Sequence, residues 1–155
     1  MIATVDLPDE AATAGLAARL AAIVSPGDVI ALSGDLGAGK TTFARAFIRA
    51  RGAPDRDIPS PTFTLLQVYE APGAAIWHFD CYRLAAPEEA WELGIEEAFA
   101  SGISLVEWPD RLGPLLPRRR LRVTLDFADR PDARRAVVDG DAAWRRRLSD
   151  IPADA

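Results

Sequence analysis

Apolar residues recur along the chain with two periods. Short apolar runs bounded by turn residues predict strands at Ile2–Asp6, Val29–Leu32, Ala75–Phe79 and Ile103–Val106. Leu121–Phe127 alternates apolar and polar positions, as a half-exposed strand does, and Arg135–Asp139 is suited to pair with it. Helical spacing replaces alternation in Glu10–Val24, where Leu16, Leu20, Ile23 and Val24 share a face and Asp9 is placed to cap the first turn. A second helix runs from Lys40 to about Ala50, with Gly52 and Pro54 as its stop. Thr62–Tyr69 is β-prone and is joined to Ala75–Phe79 through Ala71-Pro72-Gly73, which predicts a hairpin. Pro87–Ala100 reads as an acidic helix interrupted near Gly94, Pro109–Pro117 as loop or short helix, and Ala142–Leu148 as a last helix before a frayed Ile-Pro-Ala-Asp-Ala tail.

This order of elements predicts an α/β fold with a mostly parallel central sheet, helices on both faces and antiparallel additions. The length of 155 residues fits one domain, 1–155, with 150–155 as the tail, and neither a repeat nor a linker interrupts it. Apolar residues make up 49% and charged residues 26%, enough for an ordinary core and unlike a disordered chain. A net charge of −5 argues against a free-standing nucleic-acid binder, though not against RNA reached through a partner. The single cysteine, Cys81, forbids an internal disulfide and fits a reducing compartment. The N-terminus has no basic region followed by an apolar one, and no apolar run approaches the roughly 20 residues that span a bilayer. The expectation is a soluble, cytoplasmic protein.

Gly34-Asp35-Leu36-Gly37-Ala38-Gly39-Lys40-Thr41 fits the pattern G-x-x-x-x-G-K-[ST], after an expected strand and at the start of an expected helix. Glycines let such a loop turn its backbone N–H groups toward phosphate oxygens, and the helix N-terminus adds a partial positive charge. Lys40 would reach the β- and γ-phosphates of a nucleoside triphosphate, and the Thr41 hydroxyl would ligate Mg²⁺. Lysine occurs nowhere else in the chain, whose other basic residues are all arginines, so it stands where a compact point charge is required.

Glu107 closes the apolar run Ile103–Val106, where P-loop proteins usually carry an aspartate that holds Mg²⁺ or orients water. Asp80, in Trp77-His78-Phe79-Asp80-Cys81-Tyr82-Arg83, ends another strand and is a second candidate for water or metal-bound water. His78 and Cys81 near Asp80 raise zinc, but a structural site needs four ligands, and packed side chains are the simpler reading. Thr62, in Ser60-Pro61-Thr62-Phe63, stands where many NTPases sense the γ-phosphate, although a turn entering a strand also explains the segment. Arg118–Arg120 and Arg145–Arg147 are either solvated faces or docking points for an acidic partner or tRNA.

Taken together and in this order, GDLGAGKTTFARAF, SPTFTL, HFDCYRL, ELGIEEAF and LVEWPDRLG resemble the bacterial TsaE (YjeE) family of tRNA threonylcarbamoyladenosine biosynthesis ATPases over roughly residues 7–127. The resemblance implies a P-loop NTPase fold and a Mg²⁺-dependent ATPase, slow alone and stimulated by its partners, that cycles between ATP and ADP. Those partners are TsaB and TsaD, which install threonylcarbamoyl on a tRNA adenosine beside the anticodon, so tRNA is met only through the complex. It further implies that Gly34–Thr42 bind the phosphates, Thr41 and Glu107 hold Mg²⁺, Thr62 and Asp80 support hydrolysis, and Trp108 lies beside the nucleotide. One arginine that the family places near the nucleotide would correspond to Arg134 or Arg135. Cys81 departs from the aliphatic residue usual in its segment.

Three other readings share the loop. A small-molecule kinase would need an acceptor pocket and an arginine-bearing lid. A guanine-specific switch would need an Asn-Lys-x-Asp motif, which a chain without asparagine cannot supply. A nucleotide-gated scaffold would bind without much turnover, since only Arg83 suggests an arginine finger in cis.

Overall fold

The computed structural model describes residues 2–53 and 65–149. Strand β1 (Ala3–Leu7) leads to helix α1 (Glu10–Ala21), β2 (Val29–Ser33) and α2 (Lys40–Ala50). Then come β3 (Leu66–Tyr69), β4 (Ile76–Asp80), the short helices α3 (Glu89–Glu92) and α4 (Ile95–Ser101), and β5 (Ile103–Glu107). A 3-10 segment, Pro109–Leu115, precedes β6 (Leu121–Phe127), β7 (Arg134–Asp139) and α5 (Ala142–Ser149). The seven strands form one sheet in the order β1-β7-β6-β2-β5-β4-β3. The central strands β6, β2, β5 and β4 run parallel, and β3, β7 and β1 add antiparallel edges.

Sheet pleating sorts the apolar residues into two cores. Ile30, Leu32, Ile103 and Leu105 face α1 and α2, where Phe43 and Phe47 stack with centroids 6.5 Å apart. Val29, Phe79 and Val106 point the other way, toward Ala90, Ile95, Ala98 and Leu112. Helices therefore cover both faces, and residues of β2 and β5 are buried on each, as the continuous apolar runs predict for inner parallel strands. Each large side chain so buried contributes about 1.5–3 kcal/mol.

Some boundaries differ from expectation, for local or tertiary reasons, and others agree. Leu7 stays in β1 because it pairs with Arg134 of β7, although Pro8 follows. Helix α1 begins at the expected cap, with Ala12 N–H donating to Asp9 Oδ1 at 2.8 Å, but stops at Ala21 rather than Val24. The β-branched Ile23 and Val24 precede Pro26, which disfavours helix in the residue before it. The acidic stretch splits into α3 and α4 at Gly94, as expected, and Gly94 adopts φ 90°. Of Thr62–Tyr69, only Leu66–Tyr69 is a described strand, and Thr62 lies outside the described residues.

The register has a functional consequence. Asp80 stands opposite Glu107 at the ends of β4 and β5, and Leu32 opposite Glu107 at the end of β2. The P-loop leaves from the same edge, the carboxyl end of the parallel strands, where α/β sheets present a crevice for ligands. No helix among the described residues is long and apolar enough to cross a membrane.

Candidate active site at the carboxyl edge of the sheet

Residues 34–39 bridge β2 and α2, and the backbone there explains the glycines. Gly34, Gly37 and Gly39 have φ of 142°, 81° and 109°, in the region L side chains avoid. Gly34 is also pressed against β6, since a Cβ built on it would lie 2.4 Å from the Leu125 carbonyl oxygen. Gly34→Ala is expected to destabilise the fold by about 2–4 kcal/mol through strain and backbone clash, read from urea unfolding midpoints. Gly39 caps α2 without any side-chain hydrogen bond, which leaves the first-turn N–H groups for an incoming anion.

Lys40 is 5% exposed and folds back on its own loop. Its Nζ donates to the carbonyl oxygens of Gly34 and Asp35 and stands 4.3 Å from the Trp108 ring centroid. Burial pushes the ammonium below its ordinary pKa, against the attraction of Glu107, Asp80 and Asp35. Trp108 adopts φ 57° and ψ 55°, a conformation that costs a bulky residue about 1–2 kcal/mol. That turn sends its ring across the cleft, 4.9 Å from the ring of Tyr82.

Glu107 is buried and holds two contacts. Its Oε1 accepts from Thr41 Oγ1 at 3.4 Å, and its Oε2 lies 2.6 Å from His78 Nε2. Asp80 is buried beside it and accepts the Tyr82 N–H at 3.1 Å, which fixes the turn after β4. A cleft of about 200 Å³ is lined by Leu36, Gly37, Gly39, Lys40, Thr41 and Thr42 on one side and by Asp80, Glu107 and Trp108 on the other. The sequence-predicted residues that are described thus converge, with Gly34, Asp35 and the buried Ala38 in the body of the loop, while Thr62 lies outside the described residues. A larger groove of about 590 Å³ between β1, α1 and α5 is lined by apolar side chains such as Leu16, Leu20 and Leu148 and contains no residue of the loop.

One site residue escaped sequence reasoning. His78 read as a packed side chain; it is fully buried, yet its ring nitrogen meets Glu107. The hint was its period-two spacing from Asp80, which puts both on one face of β4. The resemblance left Arg134 and Arg135 open. Arg134 donates to the carbonyl oxygens of Gly37 and Ala38, both at 3.1 Å, and lies over the Phe127 ring, while Arg135 turns away to pair with Asp6. Between the two arginines considered, Arg134 is the one at the loop. In the second basic run, Arg147 is engaged within the chain, paired with Asp28 at 2.6 Å and stacked on Trp144.

Cys81 is buried in the same apolar cluster as Phe79, on the other side of the sheet from α1 and α2. Burial first, then the carboxylates of Asp80 and Glu107, push its thiol up to about 12. The thiolate fraction at pH 8 is then on the order of 10⁻⁴. Iodoacetamide at that pH should leave the folded protein unmodified and label it once denaturant is added, as read by intact mass.

A glycine-rich loop between the central parallel strand and a helix, with acidic strand ends beside it, defines the P-loop NTPase class of α/β folds. The family model described as "Threonylcarbamoyl adenosine biosynthesis protein TsaE" matches residues 7–137, and the chain belongs to the TsaE family. It is 42% identical over 123 residues to the tRNA threonylcarbamoyladenosine biosynthesis protein TsaE of Rickettsia bellii, covering 79% of this chain and 85% of the relative. Against the protein of the same name from Bacillus subtilis, identity is 40% over 122 residues, covering 78% and 74%. The crystal structure of Bacillus subtilis YdiB superposes with a TM-score of 0.77 at 29% identity, covering 97% of this chain and 95% of that one.

Proposed function

We propose that this chain is the Mg²⁺-dependent ATPase of tRNA threonylcarbamoyladenosine biosynthesis, acting in the cytoplasm as a single domain alongside TsaB and TsaD. The observation that carries the reading is the convergence of Lys40, Thr41, Asp80, Glu107 and Trp108 on one cleft at the mouth of the P-loop. Membership of the TsaE family supports the pathway.

In this reading the loop N–H groups of Gly34–Thr42 and the N-terminus of α2 receive the phosphates of ATP or ADP. Lys40 leaves the Gly34 and Asp35 carbonyls for the β- and γ-phosphate oxygens. Its release from the Trp108 ring makes that indole a reporter of the nucleotide state. Mg²⁺ suits the hard oxygens of the Thr41 hydroxyl and the Glu107 carboxylate, already within 3.4 Å of each other, with phosphate oxygens completing the set. When bound, it neutralises charge on the β- and γ-oxygens. Asp80, the second carboxylate lining the cleft, orients the attacking water, with Thr62 as the proposed γ-phosphate sensor. Turnover is slow in the isolated chain because no arginine among the described residues lines the cleft, and a partner supplies the missing stabilisation. tRNA is engaged only through the complex, consistent with the net charge of −5.

Steady-state ATP hydrolysis with and without Mg²⁺, TsaB and TsaD tests this, with Lys40→Ala as the blank. Slow Mg²⁺-dependent release of phosphate, accelerated by both partners together, is the expected result. A rate indifferent to the partners would remove the pathway assignment, and a rate equal to the blank would remove the ATPase.

A further inference from the structure

We propose that His78 is a positioning residue for Glu107: it anchors one carboxylate oxygen within the sheet so that the other is presented to Thr41 and the cleft. This rests on the metal reading of Glu107 given above. The geometry divides the carboxylate into two unequal halves. Oε2 meets His78 Nε2 at 2.6 Å, a short charge-assisted contact, whereas Oε1 meets Thr41 Oγ1 at a loose 3.4 Å. An ionised carboxylate only accepts, so Nε2 is the donor. Among the described residues, His78 Nδ1 has no hydrogen-bond partner, and the ring is fully buried. The imidazole thus spends its one polar contact on Glu107.

The pairing also explains why glutamate can stand where aspartate is usual. His78 is opposite Leu105, two residues before Glu107, so the contact is diagonal across the two strands. Strands about 4.8 Å apart with a rise of about 3.3 Å per residue put the two backbones roughly 8 Å apart at these positions, a gap that favours a long side chain. Aspartate would fall short by one methylene, about 1.5 Å. Glutamate spans the gap but carries an extra rotatable bond, which left free would blur the position of Oε1. His78 removes that freedom. A group of this kind, which orients a ligand without touching the metal, typically changes metal affinity by about 10–100-fold when removed.

The test measures the affinity of a non-hydrolysable ATP analogue by calorimetry, with Mg²⁺ and with EDTA. The variants are His78→Leu, His78→Gln and His78→Asn, each also in the Glu107→Gln background, with thermal unfolding to show that each is folded. His78→Leu should leave the metal-free affinity within about threefold and reduce the tightening caused by Mg²⁺ by about tenfold or more. His78→Gln, whose amide nitrogen falls near the position of Nε2, should restore most of it. His78→Asn, whose amide falls near Nδ1, should not, and this contrast stands even if the leucine variant fails to fold. In Glu107→Gln, the histidine replacements should cost nothing further. Full Mg²⁺ coupling in folded His78→Leu or His78→Asn, or an equal additional loss on top of Glu107→Gln, would overturn the proposal. Failure of the wild-type chain to bind the analogue more tightly with Mg²⁺ would instead overturn the metal reading on which it rests.

Discussion

Lys40→Ala is expected to weaken ATP binding by about a hundredfold or more and to bring phosphate release to the level of the buffer. Among the described residues that line the cleft, Lys40 is the one cation, and it is already desolvated. Its contacts to phosphate would be charge-assisted hydrogen bonds, each worth about 1.5–3 kcal/mol, and two of them account for a hundredfold or more. Lys40→Arg should not rescue binding. Guanidinium is wider and planar, and the place it would have to occupy is closed by Trp108 on one side and the Gly34 carbonyl on the other. Calorimetric titration with ATP and EDTA checks both variants. Full affinity in Lys40→Ala would show that the loop binds phosphate through its backbone alone and would empty the lysine of its assigned role.

Glu107→Gln should give the second large effect, and of a different kind. The amide keeps the size and most of the packing but loses the charge. Nucleotide affinity without metal should change little, while Mg²⁺-dependent hydrolysis should fall by about 10²–10³, the range seen when one preorganised electrostatic group is removed from an active site. Glu107→Ala is the harsher variant: it leaves the buried His78 Nε2–H without an acceptor, at about 1–3 kcal/mol of stability, and so mixes two causes. Single-turnover hydrolysis, read beside the thermal midpoint of each variant, separates them. Near-normal hydrolysis in Glu107→Gln would remove Glu107 from the metal site and leave Asp80 as the carboxylate that matters.

How much of this was legible in the chain depends on the range of the physics involved. Local rules were enough for the cap at Asp9, for α2 starting at Lys40, for β6 over Leu121–Phe127, and for the glycine loop, because each depends on residues adjacent in sequence. The same holds for the class of fold, since buried strands alternating with amphipathic helices admit few arrangements. The end of β1 was not legible, because Leu7 is kept in the strand by a hydrogen-bonded partner more than a hundred residues away.

The candidate site divides in the same way. A phosphate loop is written in contiguous residues, since the glycines, the lysine and the threonine act through one backbone turn and the helix it opens. Sequence therefore determined the loop, its acidic neighbours and the family resemblance. Only the tertiary structure decided which groups complete the site: that His78 reaches across β4 and β5 to Glu107, that Arg134 rather than Arg135 holds the Gly37 and Ala38 carbonyls, and that Lys40 rests against Trp108. These contacts depend on strand register and on the reach of particular side chains, and a difference of one residue in register would send the same side chains to the opposite face of the sheet.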